Sequence, residues 1–177
     1  MENLKQIPMR TWLITDTHFG HDKMVQYCGR PTNFANIIFH NLTVNLKYDD
    51  LLIHLGDFCI GNDSYWHNWF CHSLPGKKWL VRGNHDRKTN NFYLSRGWDF
   101  VSTNFMDTLF GQRILFSHIP TAKTPDWDIN IHGHLHNSTH HPEVDSILSP
   151  HHKLFAIEYT NYQPVLLDKF LHEPKKT

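Results

Sequence analysis

The sequence predicts an α/β fold, and two observations carry that expectation. Short apolar, β-favouring runs alternate with longer stretches whose apolar residues recur at helical spacing. Run after run also stops at a Gly, Asp, Asn or His, and the carboxyl ends of strands are where open α/β sheets place their active sites. The densest example is Leu80-Val81-Arg82-Gly83-Asn84-His85-Asp86, an apolar run that halts at a glycine and releases three polar side chains. By composition, Gly-Asn-His-Asp should arise by chance in about one such chain in two hundred.

Composition narrows the class. The 177 residues suit a single domain over 1–177 with a sizeable core. Lys+Arg and Asp+Glu both number 17, and a protein that neutralises duplex phosphates is usually clearly basic. Long duplex DNA is therefore not an expected partner, whereas a small nucleotide or an RNA end is compatible. Sixteen His is the one extreme feature, and imidazole is both the commonest metal ligand and the physiological acid or base. Cys28, Cys59 and Cys71 form no C-x-x-C and are odd in number, which points to a reduced, cytoplasmic protein. The sequence holds no membrane-length apolar run and does not open like a signal peptide.

Trp12–Thr15 reads as the first strand and ends in Asp16-Thr17-His18, followed by Gly20 and His21. His21–Tyr27 reads as a short helix stopped by Gly29, with Arg30-Pro31 opening a turn. Asn33–Leu46 fits an amphipathic helix through Phe34, Ile37, Ile38 and Leu42, with Thr32 or Asn33 as cap and His40 in solvent. Leu51–Leu55 is a second buried strand, carrying His54 as a core residue and ending in Gly56-Asp57. Ser64–Leu74 is a second long helix capped by Asp63 or Ser64, its Trp66, Trp69, Phe70 and Leu74 facing the core. Pro75-Gly76 breaks it, and Lys78–Arg82 is the third strand.

Asn90–Arg96 is a short helix stopped by Gly97. Phe100–Thr103 and Asp107–Phe110 look like pieces of a hairpin. Arg113–Ser117 is a strand ending in His118, and Ile129–His132 is another, ending in Gly133-His134-Leu135-His136. The two imidazoles of Gly-His-x-His share one side of an extended segment, which lets them reach adjacent metals. Leu154–Tyr159 and Val165–Asp168 close the chain as strands without evident chemistry, and the tail from Glu173 reads as polar and frayed.

Each of these endings is explicable as accident when taken alone, but five at the ends of successive strands are not. The order Asp-x-His, Gly-Asp, Gly-Asn-His-Asp, His, Gly-His-x-His resembles the calcineurin-like metallophosphoesterase superfamily, in the manner of its small bacterial and phage members. The likeness runs from Trp12 to at least His136, and Glu158-Tyr159 to Pro164-Val165 resembles their closing strands. The resemblance implies a two-sheet β-sandwich flanked by helices, four layers in all, with a two-metal site at the strand ends. It implies one metal on Asp16, His18 and His136, the other on Asn84, His118 and His134, and Asp57 between them. His85 would be the general acid, oriented by Asp86.

The chemistry suits a phosphate ester. Two divalent ions about 3.5–4 Å apart clamp phosphoryl oxygens, and the implied reaction is in-line attack by a metal-bridging hydroxide. Four metal charges, less Asp16, Asp57 and the hydroxide, leave about +1 for an anionic substrate. His85 would protonate the leaving alkoxide. The mixed N/O donor set fits two divalent transition-metal ions from among Mn, Fe, Co, Ni and Zn. Arg30 or Arg82 would grip the substrate phosphate, His21 would touch substrate or support the site, and Arg87 and Lys123 would be surface charge. His140, His141, His151 and His152 lie beyond the last motif, where loop histidines are usually solvated.

The expected activity is hydrolysis of a small phosphodiester, with a nucleotide or a 2′,3′-cyclic phosphate end as examples. A nuclease or RNA-end processor and a phosphomonoesterase are the enzyme alternatives. A metal-binding interaction protein with a decayed site is the non-enzyme alternative, against which the intact His85 counts. A structural zinc domain would be richer in cysteine.

Overall fold

A computed structural model describes residues 9–138 and 141–172. Two mixed sheets with flanking helices form the fold. In the first sheet β1 (Thr11–Ile14), β2 (Leu51–His54), β3 (Lys77–Val81) and β4 (Phe100–Ser102) run parallel in the order β4-β3-β2-β1. β9 (Val165–Leu166) adds antiparallel beside β1. Parallel neighbours need crossovers, and helices supply them. These are α1 (Met24–Cys28) and α2 (Phe34–Asn45), then α3 (Asp63–Ser73), then α4 (Asn90–Leu94). The second sheet has the order β5-β6-β7-β8: β5 (Asn104–Leu109), β6 (Gln112–Ser117), β7 (Ile129–His132) and β8 (His152–Leu154). β5 and β6 are antiparallel, and β6, β7 and β8 are parallel.

The two sheets share one core. Leu13, Ile53 and Leu80 of the first belong to the same buried cluster as Ile114, Phe116 and Ile131 of the second. Phe105 sits at the join, its ring 4.7 Å from Phe116 and 5.4 Å from Trp79. α2 buries Phe34, Ile38 and Leu42, spaced four apart so that they fall on one face. His54 is a core residue as expected: burial pushes its pKa down to about 3, and its ring nitrogens meet Thr17 Oγ1 and the Gly56 N–H.

Several elements differ from the sequence reading. Phe100–Thr103 and Asp107–Phe110 do not form a hairpin with each other, because β4 pairs with β3 while β5 crosses to the other sheet and pairs with β6. Leu154–Tyr159 is not one strand: β8 ends at Leu154, and Ile157–Thr160 is a 3-10 turn closed by left-handed Asn161. Val165–Asp168 yields two strand residues and then a helix, Leu167–His172, which buries Leu167 and Phe170. α3 is capped by Asn62, which accepts the Tyr65 N–H, and not by Asp63 or Ser64. The Asn33 side chain makes no capping bond to α2. The tail from Glu173, and His140, lie outside the described residues.

Candidate metal centre

The site forms where the loops after β1, β2, β3, β6 and β7 are stitched together past the strand ends. The Asp16, His18 and Phe19 N–H groups donate to the carbonyls of Gly56, Asp57 and Phe58, at 2.9, 3.1 and 3.0 Å. The Gly133 N–H donates to the His118 carbonyl at 3.0 Å. Two glycines make the convergence sterically possible. A Cβ at Gly83 would land on Asp57 Oδ1, and one at Gly133 would collide with Thr15 Oγ1 and Asp16 Oδ2. Five of the side chains singled out as metal ligands sit on left-handed backbone: Asp16, His18, Asp57, His134 and His136 have φ of 50, 47, 52, 73 and 50°. Such non-glycine residues cost on the order of 1–3 kcal/mol each and concentrate at functional sites.

Two donor clusters result. Donor atoms of Asp16, His18 and His136 lie within 4.8 Å of one another, as do those of Asp57, His118 and His134. Within the first, Asp16 Oδ1 is 3.9 Å from His18 Nε2 and 3.6 Å from His136 Nε2. Within the second, His118 Nε2 lies 3.3 Å from Asp57 Oδ2, 3.2 Å from His134 Nδ1 and 3.1 Å from Asn84 Oδ1. Asp57 Oδ2 is also 3.8 Å from His18 Nε2, so this carboxylate faces both clusters. His118 Nδ1 donates to the Leu55 carbonyl at 2.8 Å, which leaves Nε2 for the site.

The site packs two buried carboxylates, Asp16 and Asp57, against buried imidazoles. Burial opposes charge on Asp57, but the hydrogen bond and charge of His118, with the His85 N–H, hold its carboxyl well below the usual range. Burial likewise opposes charge on His118, yet Asp16 and Asp57 raise its pKa to about 9. Burial also disfavours a charged His136, which Cys28, Glu158 and Asp16 nevertheless raise to about 10. His18 goes the other way, to about 2, chiefly through burial. Asp16 Oδ1 and both ring nitrogens of His18 are buried with no hydrogen-bond partner among the described residues. Unpaired buried polar atoms are rare, and a cluster of them among carboxylates and imidazoles fits divalent cations.

His85 stands at the rim with its side chain 36 % exposed, its N–H donating to Asp57 Oδ1 at 2.9 Å and its Nε2 3.9 Å from Asp57 Oδ2. Its ring centroid is 5.5 Å from that of His18 and 6.5 Å from that of His21. Asp86 does not orient the His85 ring. Its carboxylate accepts the backbone N–H groups of Gly83, Asp57 and Phe58 at 2.8, 2.8 and 3.2 Å, so it binds two site loops together. Burial raises the Asp86 pKa to about 7.

Arg30 does not face substrate. Its side chain has no exposed surface and donates to Glu158 Oε1 and to the Asp16 and Thr17 carbonyls, so it grips the protein's own loop. Arg82, with Asn84, Asn104, His118 and Thr121, lines a cavity of about 310 Å³. A second recess of about 610 Å³ opens beside His136, bounded by Tyr27, Leu135 and His141. His21 lies close by, its ring 5.5 Å from His18. Arg87 is exposed, and Lys123 is engaged with the Thr124 and Trp127 carbonyls. His151 and His152 donate to the Asp128 and Thr121 carbonyls around β8. The sequence reading missed Glu158, whose only signal was its place in a segment resembling the superfamily's closing strands.

Residues 9–175 match the calcineurin-like phosphoesterase family. The chain belongs to that family, which makes it a metal-dependent phosphoester hydrolase by class. It is similar to an uncharacterized protein of Methanocaldococcus jannaschii, 29 % identical over 170 residues that cover 90 % of this chain and 88 % of the relative. It is also similar to a crystal structure from Aquifex aeolicus of a protein of unknown function, with a TM-score of 0.72 and 27 % identity over 91 % of this chain and 97 % of that one. A structure described as a novel archaeal phosphodiesterase is a more distant likeness, with a TM-score of 0.49 and 16 % identity over 90 % of this chain and 100 % of that one. Among the described residues no helix is long and apolar enough to cross a membrane.

Proposed function

We propose that this chain hydrolyses a small phosphodiester, using Asp16, His18 and His136 to hold one divalent transition-metal ion, Asn84, His118 and His134 to hold a second, and Asp57 shared between them. The observation that carries the reading is the pair of donor clusters meeting at Asp57 Oδ2. Bound ions would clamp the phosphoryl oxygens, stabilise the charge that builds there and activate a water. The chain supplies the rest. His85, on the rim and tethered through its N–H to Asp57, donates a proton from its ring to the departing alkoxide. Arg82 binds an anionic or hydroxyl-bearing substituent in the cavity beside Asn84. His21, next to His18 and His85, lines the entrance.

A diester is favoured over a monoester by the two recesses. One flanks Asn84 and His118, the other flanks His136, so each substituent on phosphorus has space. The test is turnover of bis-p-nitrophenyl phosphate and p-nitrophenyl phosphate with Mn²⁺, Ni²⁺ or EDTA, for the wild type, His85→Ala and Asp57→Ala. Metal-dependent diester hydrolysis that falls in both variants is the expected result. Monoester turnover alone moves the substrate class, and activity unchanged in both variants sinks the mechanism.

A further inference from the structure

We infer that Glu158, locked in place by Arg30, is a positioning residue that sets the metal affinity of the Asp16–His18–His136 cluster and not that of its neighbour. The inference rests on the two-metal reading above. Glu158 Oε1 lies 3.2 Å from His136 Nδ1, while His136 Nε2 faces Asp16 Oδ1 at 3.6 Å. A ring that donates from Nδ1 to a carboxylate keeps its lone pair on Nε2, the nitrogen turned into the cluster.

Glu158 is itself held. Its Oε1 accepts from Arg30 Nε and Nη2 at 2.9 and 2.6 Å. The same guanidinium donates to the Asp16 carbonyl at 2.8 Å and the Thr17 carbonyl at 3.3 Å. Arg30 thus holds the backbone beneath Asp16 and His18, while Glu158 itself meets the cluster through the His136 ring. Among the described residues, none of the hydrogen bonds of Arg30 or Glu158 reaches Asn84, His118 or His134.

Cys28, His136 and Glu158 also bring donor atoms within 4.8 Å of one another, an arrangement that could hold a further ion. The Arg30 guanidinium argues against that use. It already places a full positive charge 2.6 Å from Glu158 Oε1, and a dication there would be repelled. The cluster is better described as a buried ion pair that steers an imidazole.

The experiment is a Mn²⁺ titration by calorimetry, read as two separate affinities, on the wild type, Glu158→Gln, His136→Ala and the double variant. Supporting residues of metal-bound histidines are worth about 10–100-fold in affinity. Glu158→Gln should weaken one site by about that factor and leave the other at its wild-type value. In a chain that already carries His136→Ala, Glu158→Gln should add little, because its effect passes through that ring. Wild-type affinities at both sites in Glu158→Gln would overturn the inference while leaving the two-metal reading intact. Equal weakening at both sites, or additive effects in the double variant, would also overturn it. Fewer than two sites in the wild type would remove the reading beneath it. Should Glu158→Gln fail to fold around an unpaired Arg30, Arg30→Gln/Glu158→Gln removes the stranded cation and carries the same comparison.

Discussion

Asp57 Oδ2 stands 3.3 Å from Nε2 of His118, the imidazole on which Asn84 and His134 also converge. The same oxygen is 3.8 Å from His18 Nε2 in the other cluster. Replacing Asp57 by Asn removes the charge common to both. Both metal affinities should therefore fall, and by more than the roughly 10–100-fold that losing a supporting residue costs. Calorimetric titration checks it, and a variant in which only one site weakens would deny Asp57 its shared role.

In the proposed mechanism His85 contributes a proton and not a ligand. His85→Ala should keep two bound ions and lose about 10²–10⁴-fold in kcat on an alkyl diester. The loss should shrink, without vanishing, for p-nitrophenyl esters, whose weakly basic leaving group relies less on a proton. Comparing kcat across leaving groups of rising pKa tests this, and equal losses throughout would contradict it.

Asp86 is a structural tie. Its carboxylate serves three backbone N–H groups, of Gly83, Asp57 and Phe58, in a site 4 % exposed. Asp86→Ala strands those donors and should cost on the order of 3 kcal/mol. Urea unfolding measures it, and a change within experimental error would show that water replaces the carboxylate.

Most of this site was legible because metal and proton chemistry admits few residue types. Asp16, His18, Asp57, Asn84, His118, His134 and His136 were marked by their place at strand ends; donor atoms of Asp16, His18 and His136 come together, as do those of Asp57, His118 and His134, and Asn84 Oδ1 lies 3.1 Å from His118 Nε2. Arg30 and Glu158 were illegible as a pair: they lie 128 positions apart, and no local pattern announces an ion pair. Arg30 was read as gripping substrate because charge near a phosphate site has that default meaning. Only its burial shows that it holds the Asp16 loop. β4 and β5 failed for a related reason. A run such as Phe100–Ser102 states that it is a strand but not which partner it takes. Leu154–Tyr159 opens with an apolar run that suits a buried strand, whereas the chain turns at Ile157–Thr160, the turn that bears Glu158.

His67 gives the fold an acid-sensitive point away from the metal ligands. It is 1 % exposed, accepts the Trp98 Nε1–H at Nδ1 at 2.9 Å and stacks on Phe58 at 4.2 Å. Burial, with a smaller contribution from Arg96, lowers its pKa from 6.5 to about 3. The folded pKa lies below the unfolded one, so the stability tied to the neutral ring is intact above pH 6.5 and falls as pH drops toward about 3. Within that window one proton separates the states, a slope of about 1.4 kcal/mol per pH unit. Denaturation of the wild type and His67→Gln across this range should show the slope reduced by that amount in the variant. Parallel curves would contradict the assignment.

Arg82 lines the cavity that adjoins Asn84 and His118. Its Nη1 donates to the Lys88 carbonyl at 2.8 Å, and its Nε is buried without a hydrogen-bond partner among the described residues. Arg82→Ala should raise KM by about tenfold or more for substrates with an anionic second substituent, with little change in kcat and in metal affinity. Steady-state kinetics on paired charged and neutral diesters checks this. An equal effect on both would show that Arg82 acts on the loop and not on the substrate.

The most direct measurement is an anomalous difference map from crystals of the protein soaked in Mn²⁺. The account predicts two peaks flanking the Asp57 carboxylate, one ligated by Asp16, His18 and His136, the other by Asn84, His118 and His134. A single peak, or two peaks away from Asp57, would contradict it.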